Sequence, residues 1–201
     1  MKRTTAEGTA VTPTTSSLRA TFDTSMPRTV GHYVIDSAST SVEIRTRYAG
    51  LPVGGTFHAV AGTIDVPSDL TGAAVAVAVD STTFAPAAGP LGGLLRRGFA
   101  DDAGPVTHFE ATRMEPILES YVTHDGDRPL WALVGRVTLG GVTRPVRIAV
   151  GVVRPLEGGT AIAFSGTTTL RCSDFGVRRH GGLLADTVRV RITGVASRAA
   201  G

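Results

Sequence analysis

Alternation of apolar and polar residues dominates the chain from Val30 onward, and it constrains the fold more than any other feature. In SVEIRTRY, Val42 and Ile44 occupy one face of an extended strand, while the glutamate and the arginines occupy the other. TVRVRITG repeats this pattern near the end of the chain. Such strands pack one face on an apolar interior and expose the other to water, so the alternation predicts an antiparallel sheet.

Turn sequences rich in Gly and Pro separate further strand candidates. These candidates are residues 55–65, 73–80, 107–116, 130–138, 146–154 and 161–170. About eight antiparallel strands close most economically into an up-and-down barrel, because closure removes exposed strand edges. We therefore predict an all-β fold with an antiparallel β-barrel over residues 30–201, while a two-sheet sandwich would give a similar pattern.

Two segments depart from the alternation. Residues 1–29 are rich in Thr and Ser and poor in large apolar residues, so we predict a disordered N-terminal extension. Within residues 84–105, apolar residues recur at a spacing of three to four around Leu94, Leu95 and Phe99. This spacing predicts a short helical or irregular lid around residues 85–104, and the sequence leaves open whether the lid is a fixed plug or moves over a cavity.

The inward-facing positions predict a cavity. Aromatic residues make up only 5% of the chain, and the inward phase includes small residues such as Gly135, Gly166 and Ala111, which leave space inside an eight-stranded barrel. A space lined by apolar side chains suits a hydrophobic chain better than a polar metabolite. The predicted ligand-binding residues are Val42, Ile44, Phe57, Phe84, Leu94, Leu95, Phe99, Phe109, Leu133, Val137, Phe164 and Val190; Arg45, Arg136, Arg147 and Arg189 should face water.

Charge, cysteine and histidine content limits the function classes. The formal net charge is only +3, and because Lys2 is the only lysine, the basic balance reflects arginine usage and gives no nucleic-acid signal. Cys172 is the only cysteine and the histidines lack ligand spacing, so we expect no metal and no cofactor. No apolar run reaches the length of a signal peptide or a membrane span, and we expect a cytoplasmic protein without stable membrane insertion.

The segment RCSDFGV is interpreted as a strand end followed by a turn. In this interpretation Asp174 accepts backbone N–H bonds, Phe175 closes the barrel floor and Gly176 supplies backbone freedom. Arg171 is expected to pair with Asp174 or with Asp36. The segment therefore predicts a structural element and not a catalytic loop.

Several motifs in the same order resemble the YceI-like family. YVIDSASTSVEIRTRY resembles its opening strand, GGTFHAVAGTIDV its Gly-x-Phe and Gly-x-Ile elements, GRVTLGGVTRPV its Thr-x-Pro-Val hairpin, and RCSDFGV with LLADTVRVRITG its closing elements. The resemblance implies an extended, lipocalin-like barrel that binds a polyisoprenoid or a similar long amphiphile in its core. Ser39, Thr40, Tyr48 and the segment PLGGLLRRGFAD depart from the family pattern, which changes the polar contacts near the mouth of the barrel.

The sequence leaves three function classes open. A carrier would hold a polyisoprenoid, an isoprenoid quinone or a fatty acyl chain as its small hydrophobic ligand, and a structural protein would fill the barrel with side chains. An enzyme, such as a cyclase or isomerase of a hydrophobic polyene, would need polar groups, for which His58, His108, Glu110 and Tyr48 are the candidates. We favour the carrier, with no catalytic residue, and a homodimer is left open.

Overall fold

The structure is a computed structural model, which describes residues 29–89, 104–117, 131–177 and 182–199. In this part of the chain, strands and turns account for the fold, and the helical elements are 3₁₀ turns of three or four residues. The strands are β1 Gly31–Ile35, β2 Ser41–Tyr48, β3 Leu51–Phe57, β4 Val60–Val66, β5 Ala74–Asp80, β6 Ala85–Pro86, β7 Val106–Pro116, β8 Trp131–Leu139, β9 Val142–Leu156, β10 Ala161–Arg171 and β11 Thr187–Arg198.

Eight of these strands close into an antiparallel barrel in the order β1-β4-β5-β7-β8-β9-β10-β11, and β11 pairs back to β1. Each neighbouring pair is antiparallel, and β2, β3 and β6 extend the sheet from β11. The predicted all-β antiparallel barrel is therefore confirmed. No helix of the described part is long and apolar enough to cross a membrane.

Strands β1 and β2 are joined by a bend, and both of them pair with β11. Strand β1 pairs with residues 196–198 of β11, and β2 pairs with residues 189–193. At the bend, the Asp36 carboxylate accepts hydrogen bonds from the Ala38 amide at 3.0 Å and the Ser39 hydroxyl at 2.6 Å. The bend also divides the neighbouring strand, because β3 pairs with β2 and β4 pairs with β1. The predicted strand 55–65 is therefore two strands joined through His58 and Ala59.

Asp69 and Asp80 hold similar turns after β4 and β5. Each carboxylate accepts hydrogen bonds from the hydroxyl and the amide of the residue two positions later, Thr71 or Thr82. The hydroxyl and then the amide stabilise the charged carboxylate, and they lower the pKa of both aspartates. The same donors from Ser39 and Ala38 lower the pKa of Asp36.

Two β-bulges change the phase of the alternation. In β7 the pairing with β8 shifts between Ala111 and Arg113, so that Phe109 before the bulge and Met114 after it both face the interior. In the β9–β10 pair the register shifts between Phe164 and Gly166. These bulges let the barrel wall curve while apolar side chains stay inside.

The two segments that depart from the alternation are only partly among the described residues. Residues 90–103, which hold most of the predicted lid, and residues 1–28 of the predicted extension lie outside the described residues. The described start of the lid region, β6, pairs with β3, and the Ala87 amide donates to the Gly54 carbonyl at 2.9 Å. Thr29, at the predicted boundary of the extension, is only 1% exposed.

The segment RCSDFGV forms the expected turn with different partners. A 3₁₀ turn, Cys172–Phe175, ends at Gly176, which has a positive φ of 71°, and Phe175 is buried. The expectation for Asp174 was wrong, because Asp186 is the carboxylate that accepts from the amide and the hydroxyl of Ser173, each at 2.9 Å. Arg171 is exposed, and within the described ranges it forms no ion pair with Asp174 or Asp36.

Candidate functional site

The inner faces of the barrel strands enclose an elongated cavity of about 240 Å³. It runs from Thr29, Leu70 and Ala73 at one end to Leu139 and Phe175 at the other. This volume is slightly below the roughly 300–1,000 Å³ of typical small-molecule pockets and is spread along the barrel. The shape is therefore that of a narrow channel for one chain, and not of a compact pocket.

The structure places most of the predicted ligand-binding residues in the wall of this cavity. The lining residues are Val42, Ile44, Phe57, Phe109, Leu133, Val137, Phe164 and Val190. Phe84 is buried behind the wall, where its ring packs on Phe57 with ring centroids 5.0 Å apart. Leu94, Leu95 and Phe99 lie outside the described residues. The arginines that were expected to face water, Arg45, Arg136, Arg147 and Arg189, are exposed.

Polar groups in the wall are few, and most are hydroxyls. The Ser81 and Thr107 hydroxyls bond each other at 3.3 Å, and the Thr40 hydroxyl donates to the Val195 carbonyl at 3.4 Å. Arg171 is the one charged residue among the described lining residues. A cavity of this composition offers an apolar chain dispersion contacts and burial from water, with little polar chemistry along its length.

The candidates for catalysis lie away from the cavity. His58, His108 and Glu110 are exposed, and Tyr48 is half-buried outside the lining. Cys172 is buried in the wall, with its Sγ 3.9 Å from the Ala185 carbonyl oxygen. Among residues 29–89, 104–117, 131–177 and 182–199, no group of three His, Cys, Asp or Glu side chains is arranged to hold a metal ion.

Gly135 and Gly166, two of the small residues expected to leave space, have different surroundings. At Gly135, an added Cβ would overlap the Glu110 carbonyl oxygen and come within 2.8 Å of the Ala111 Cβ, so the neighbouring strand already fills this position. The expectation that Gly135 creates cavity space was therefore wrong. Gly166 lines the cavity, and an added Cβ would meet the Ile148 Cγ2 at 2.9 Å.

Several lining residues were missed by the sequence pattern. Met114, Trp131 and Val153 line the cavity, and so do Leu70 and Ala73 beside the turn after β4. Met114 follows the bulge in β7, and Val153 lies beyond the register shift of β9, where strict alternation fails. Leu70 and Ala73 lie in a turn, where no strand period applies.

Residues 33–196 match the family model described as the YceI-like domain. No curated protein sequence matches the chain. Solved structures with similar folds include BcnA of Burkholderia cenocepacia, at 18% identity and a TM-score of 0.60, over 81% of this chain and 99% of that one. A polyisoprenoid binding domain from Saccharophagus degradans has 11% identity and a TM-score of 0.58, over 85% and 99% of the two chains. The YceI protein of Campylobacter jejuni has 19% identity and a TM-score of 0.54, over 73% and 85%.

Proposed function

Since this chain belongs to the YceI-like family, we propose that its barrel is a binding protein that holds one long apolar chain, a polyisoprenoid, an isoprenoid quinone or a fatty acyl chain, without transforming it. The observation that carries this proposal is the long, narrow cavity with an almost wholly apolar wall. A fold neighbour from Saccharophagus degradans is described as a polyisoprenoid binding domain, which supports the same ligand class.

Burial of apolar surface supplies the binding free energy in this proposal. Each buried methylene contributes about 0.8 kcal/mol, so a chain of several isoprene units offsets the loss of freedom on immobilisation without any ion pair. Affinity for an uncharged chain should accordingly change little between low and high salt. Burial of the chain should also give a negative heat-capacity change on binding.

Fluorescence of Trp131 provides the first test, because this side chain lines the cavity and is the only tryptophan of the chain. We expect an uncharged menaquinone analogue to quench Trp131 and a polyprenol to compete with it. Calorimetry on the same ligands measures the affinity independently of the fluorophore. If quinones, polyprenols and fatty acids all fail to bind by both methods, the proposal is wrong. Turnover of a bound polyene would show that the protein is an enzyme.

A substitution in the wall links the binding to the cavity. Gly166→Leu places a large side chain into the cavity and should lower the affinity for a long chain at least tenfold, about 1.4 kcal/mol. Ala76→Leu adds a side chain of the same size at an exposed position of β5 and serves as the matched control. Equal affinity of the two variants would place the ligand outside the cavity.

A further inference from the structure

The barrel wall has a gap between β9 and β10; we call this pair of strand edges the seam. Strand β10 extends to Arg171 and β9 begins at Val142, but the two strands pair only as far as Thr167 and Ala149. Beyond that point the described residues of the two facing strand halves form no ladder. The Thr168 hydroxyl, which donates to the Arg147 carbonyl oxygen at 2.8 Å, bridges the gap where it begins.

A groove of about 800 Å³ lies at this gap. Residues from the inner and the outer faces of β9 and β10 line this groove, with Val146 and Ala149 on one side and residues 167–171 on the other. This is expected for a space between separated strands, and we call it the slot. Thr168, Leu170, Arg171 and Phe175 line this slot and also the apolar cavity. The slot therefore borders the cavity along these four shared residues.

Arginine side chains surround the slot. Arg147 shares the Glu115 carboxylate, at 3.4 Å, with Arg113. To the described residues, the Arg144 guanidinium donates one hydrogen bond, from Nη1 to the neighbouring Thr143 carbonyl at 3.1 Å. In the described ranges the Arg171 guanidinium has no hydrogen bond or salt bridge, so these last two arginines have donors available for an anion.

The position of Arg144 is unusual for a barrel strand. Arg144 pairs with Val137 and therefore lies on the same face of the sheet, and Val137 lines the cavity. An arginine on an inner face would normally be buried at a large cost in free energy. Arg144 is instead exposed in the slot, because the wall beside it is open.

We propose that the slot between β9 and β10 binds the anionic head group, a phosphate or a carboxylate, of an amphiphile whose apolar chain lies in the cavity; this inference rests on the proposed function. Guanidinium groups bind such oxyanions with paired, charge-assisted hydrogen bonds. Thr167 and Thr169, which also line the slot, add hydroxyl donors. A chain that enters the cavity beside Leu170 leaves its head group within reach of Arg171.

The slot is unsuited to pairing with a strand of another protein. The carbonyl of Arg147 faces β10, and with a period of two the nitrogen of Pro145 faces the same side. Proline has no N–H to donate, and proline and charged side chains are devices that keep strand edges from pairing. The edge thus favours a small anionic group over an added strand.

Two ligands that share one isoprenoid chain, farnesol and farnesyl phosphate, test the inference by calorimetry on the full chain. We expect the phosphate to bind about tenfold more tightly at low salt, which corresponds to about 1.4 kcal/mol, and this advantage to shrink at high salt. Arg144→Gln, which removes a slot residue outside the cavity lining, should reduce the advantage severalfold and leave the affinity for farnesol unchanged. Arg171→Gln should also reduce the advantage severalfold. Arg154→Gln, at an exposed position near the other end of β9 and outside the slot lining, is the matched control.

A substitution that should raise the affinity for the phosphate distinguishes the proposed contact from a folding defect, which would lower it. Asp174 lines the slot, so Asp174→Asn should raise the affinity for farnesyl phosphate and leave that for farnesol unchanged. Equal binding of the two ligands would overturn the inference while the proposed function stands; failure of both ligands would overturn the proposed function as well. If inorganic phosphate competes fully and farnesyl phosphate binds no more tightly than inorganic phosphate, the slot is a free-anion site and the inference is wrong.

Discussion

The two edges of β10 show two ways in which one barrel wall is built. Towards β11, β10 is paired along its whole length, from Ala161 to Arg171. Towards β9, the same strand is paired only from Ala161 to Thr167 and then borders the slot. On the inner face of β10, Ile162 in the closed half is 1% exposed, whereas Leu170 in the open half is only half-buried.

This difference shows how an apolar cavity is made accessible without loss of the barrel. Backbone groups of the closed half satisfy each other in two ladders, which excludes water from the cavity. In the open half, the ladder to β11 holds the strand, and the groups that face β9 are left to side chains such as Thr168 and to solvent. One seam can thus open while the sheet stays continuous on the other side.

Hydrogen exchange should give the largest difference between the two halves. The Arg147 amide faces the slot, whereas the Ala149 amide, two residues along the same edge, faces Thr167 in the ladder. Amides of core ladders exchange only on global opening, at about 5–15 kcal/mol, and unpaired amides exchange through small local openings. We expect the Arg147 amide to exchange at least a thousandfold faster, measured by NMR. Equal protection would mean that the seam is closed in solution.

Truncation of the inner face should reproduce the contrast in stability. Ile162 is 1% exposed and packs where β10 is paired on both edges, so Ile162→Ala should destabilise the protein by about 2–5 kcal/mol. Leu170 lies on the same face beside the slot, and because it is only half-buried, Leu170→Ala should cost about 1–2 kcal/mol. Chemical denaturation of both variants measures the difference. A larger loss at Leu170 would contradict the open seam.

Substitutions at two glycines distinguish a position packed against the neighbouring strand from a position that borders the cavity. Gly135→Ala forces a Cβ against the backbone of β7 and should cost about 1–3 kcal/mol or more. Gly166→Ala should cost less, about 1 kcal/mol, since its Cβ meets a side-chain methyl, the Ile148 Cγ2, at 2.9 Å and no backbone atom below 3.4 Å, and glycine itself disfavours a strand. Thermal denaturation checks the order of the two variants. The reverse order would place open space beside Gly135 and dense packing beside Gly166.

Alternation in the sequence predicted the inner face wherever a strand is regular. It identified Val42 and Ile44 in β2 and Phe109 in β7, because each of these strands keeps a period of two up to that point. It missed Met114 and Val153, because each follows a shift in pairing that depends on the partner strand and leaves no mark in a single segment.

The slot has partial signals in the sequence. Arg144 falls in the apolar phase of Val142, Val146 and Ile148, and Pro145 lies next to it, and both features are typical of an edge. Neither feature indicates which neighbour is missing, since that depends on where β10 diverges. The partner of Ser173 was also beyond sequence reasoning, because Asp174 is adjacent in the chain but Asp186 is adjacent in space.

Hydroxyl bridges at the ends of two ladders should give the smallest effects. The Thr46 hydroxyl donates to the Thr187 carbonyl at 2.9 Å where the β2–β11 ladder ends, and the Thr168 hydroxyl does the same for Arg147 across the slot. Thr46 is buried, so Thr46→Val removes a part-buried hydrogen bond to the Thr187 carbonyl and should cost about 1–2 kcal/mol. In Thr168→Val water can reach the carbonyl through the slot, and the cost should be about 0.5 kcal/mol. Urea denaturation of the two isosteric variants compares them directly. A loss at Thr168 as large as that at Thr46 would show that the slot is dry and closed, and that the two edges of β10 are alike in solution.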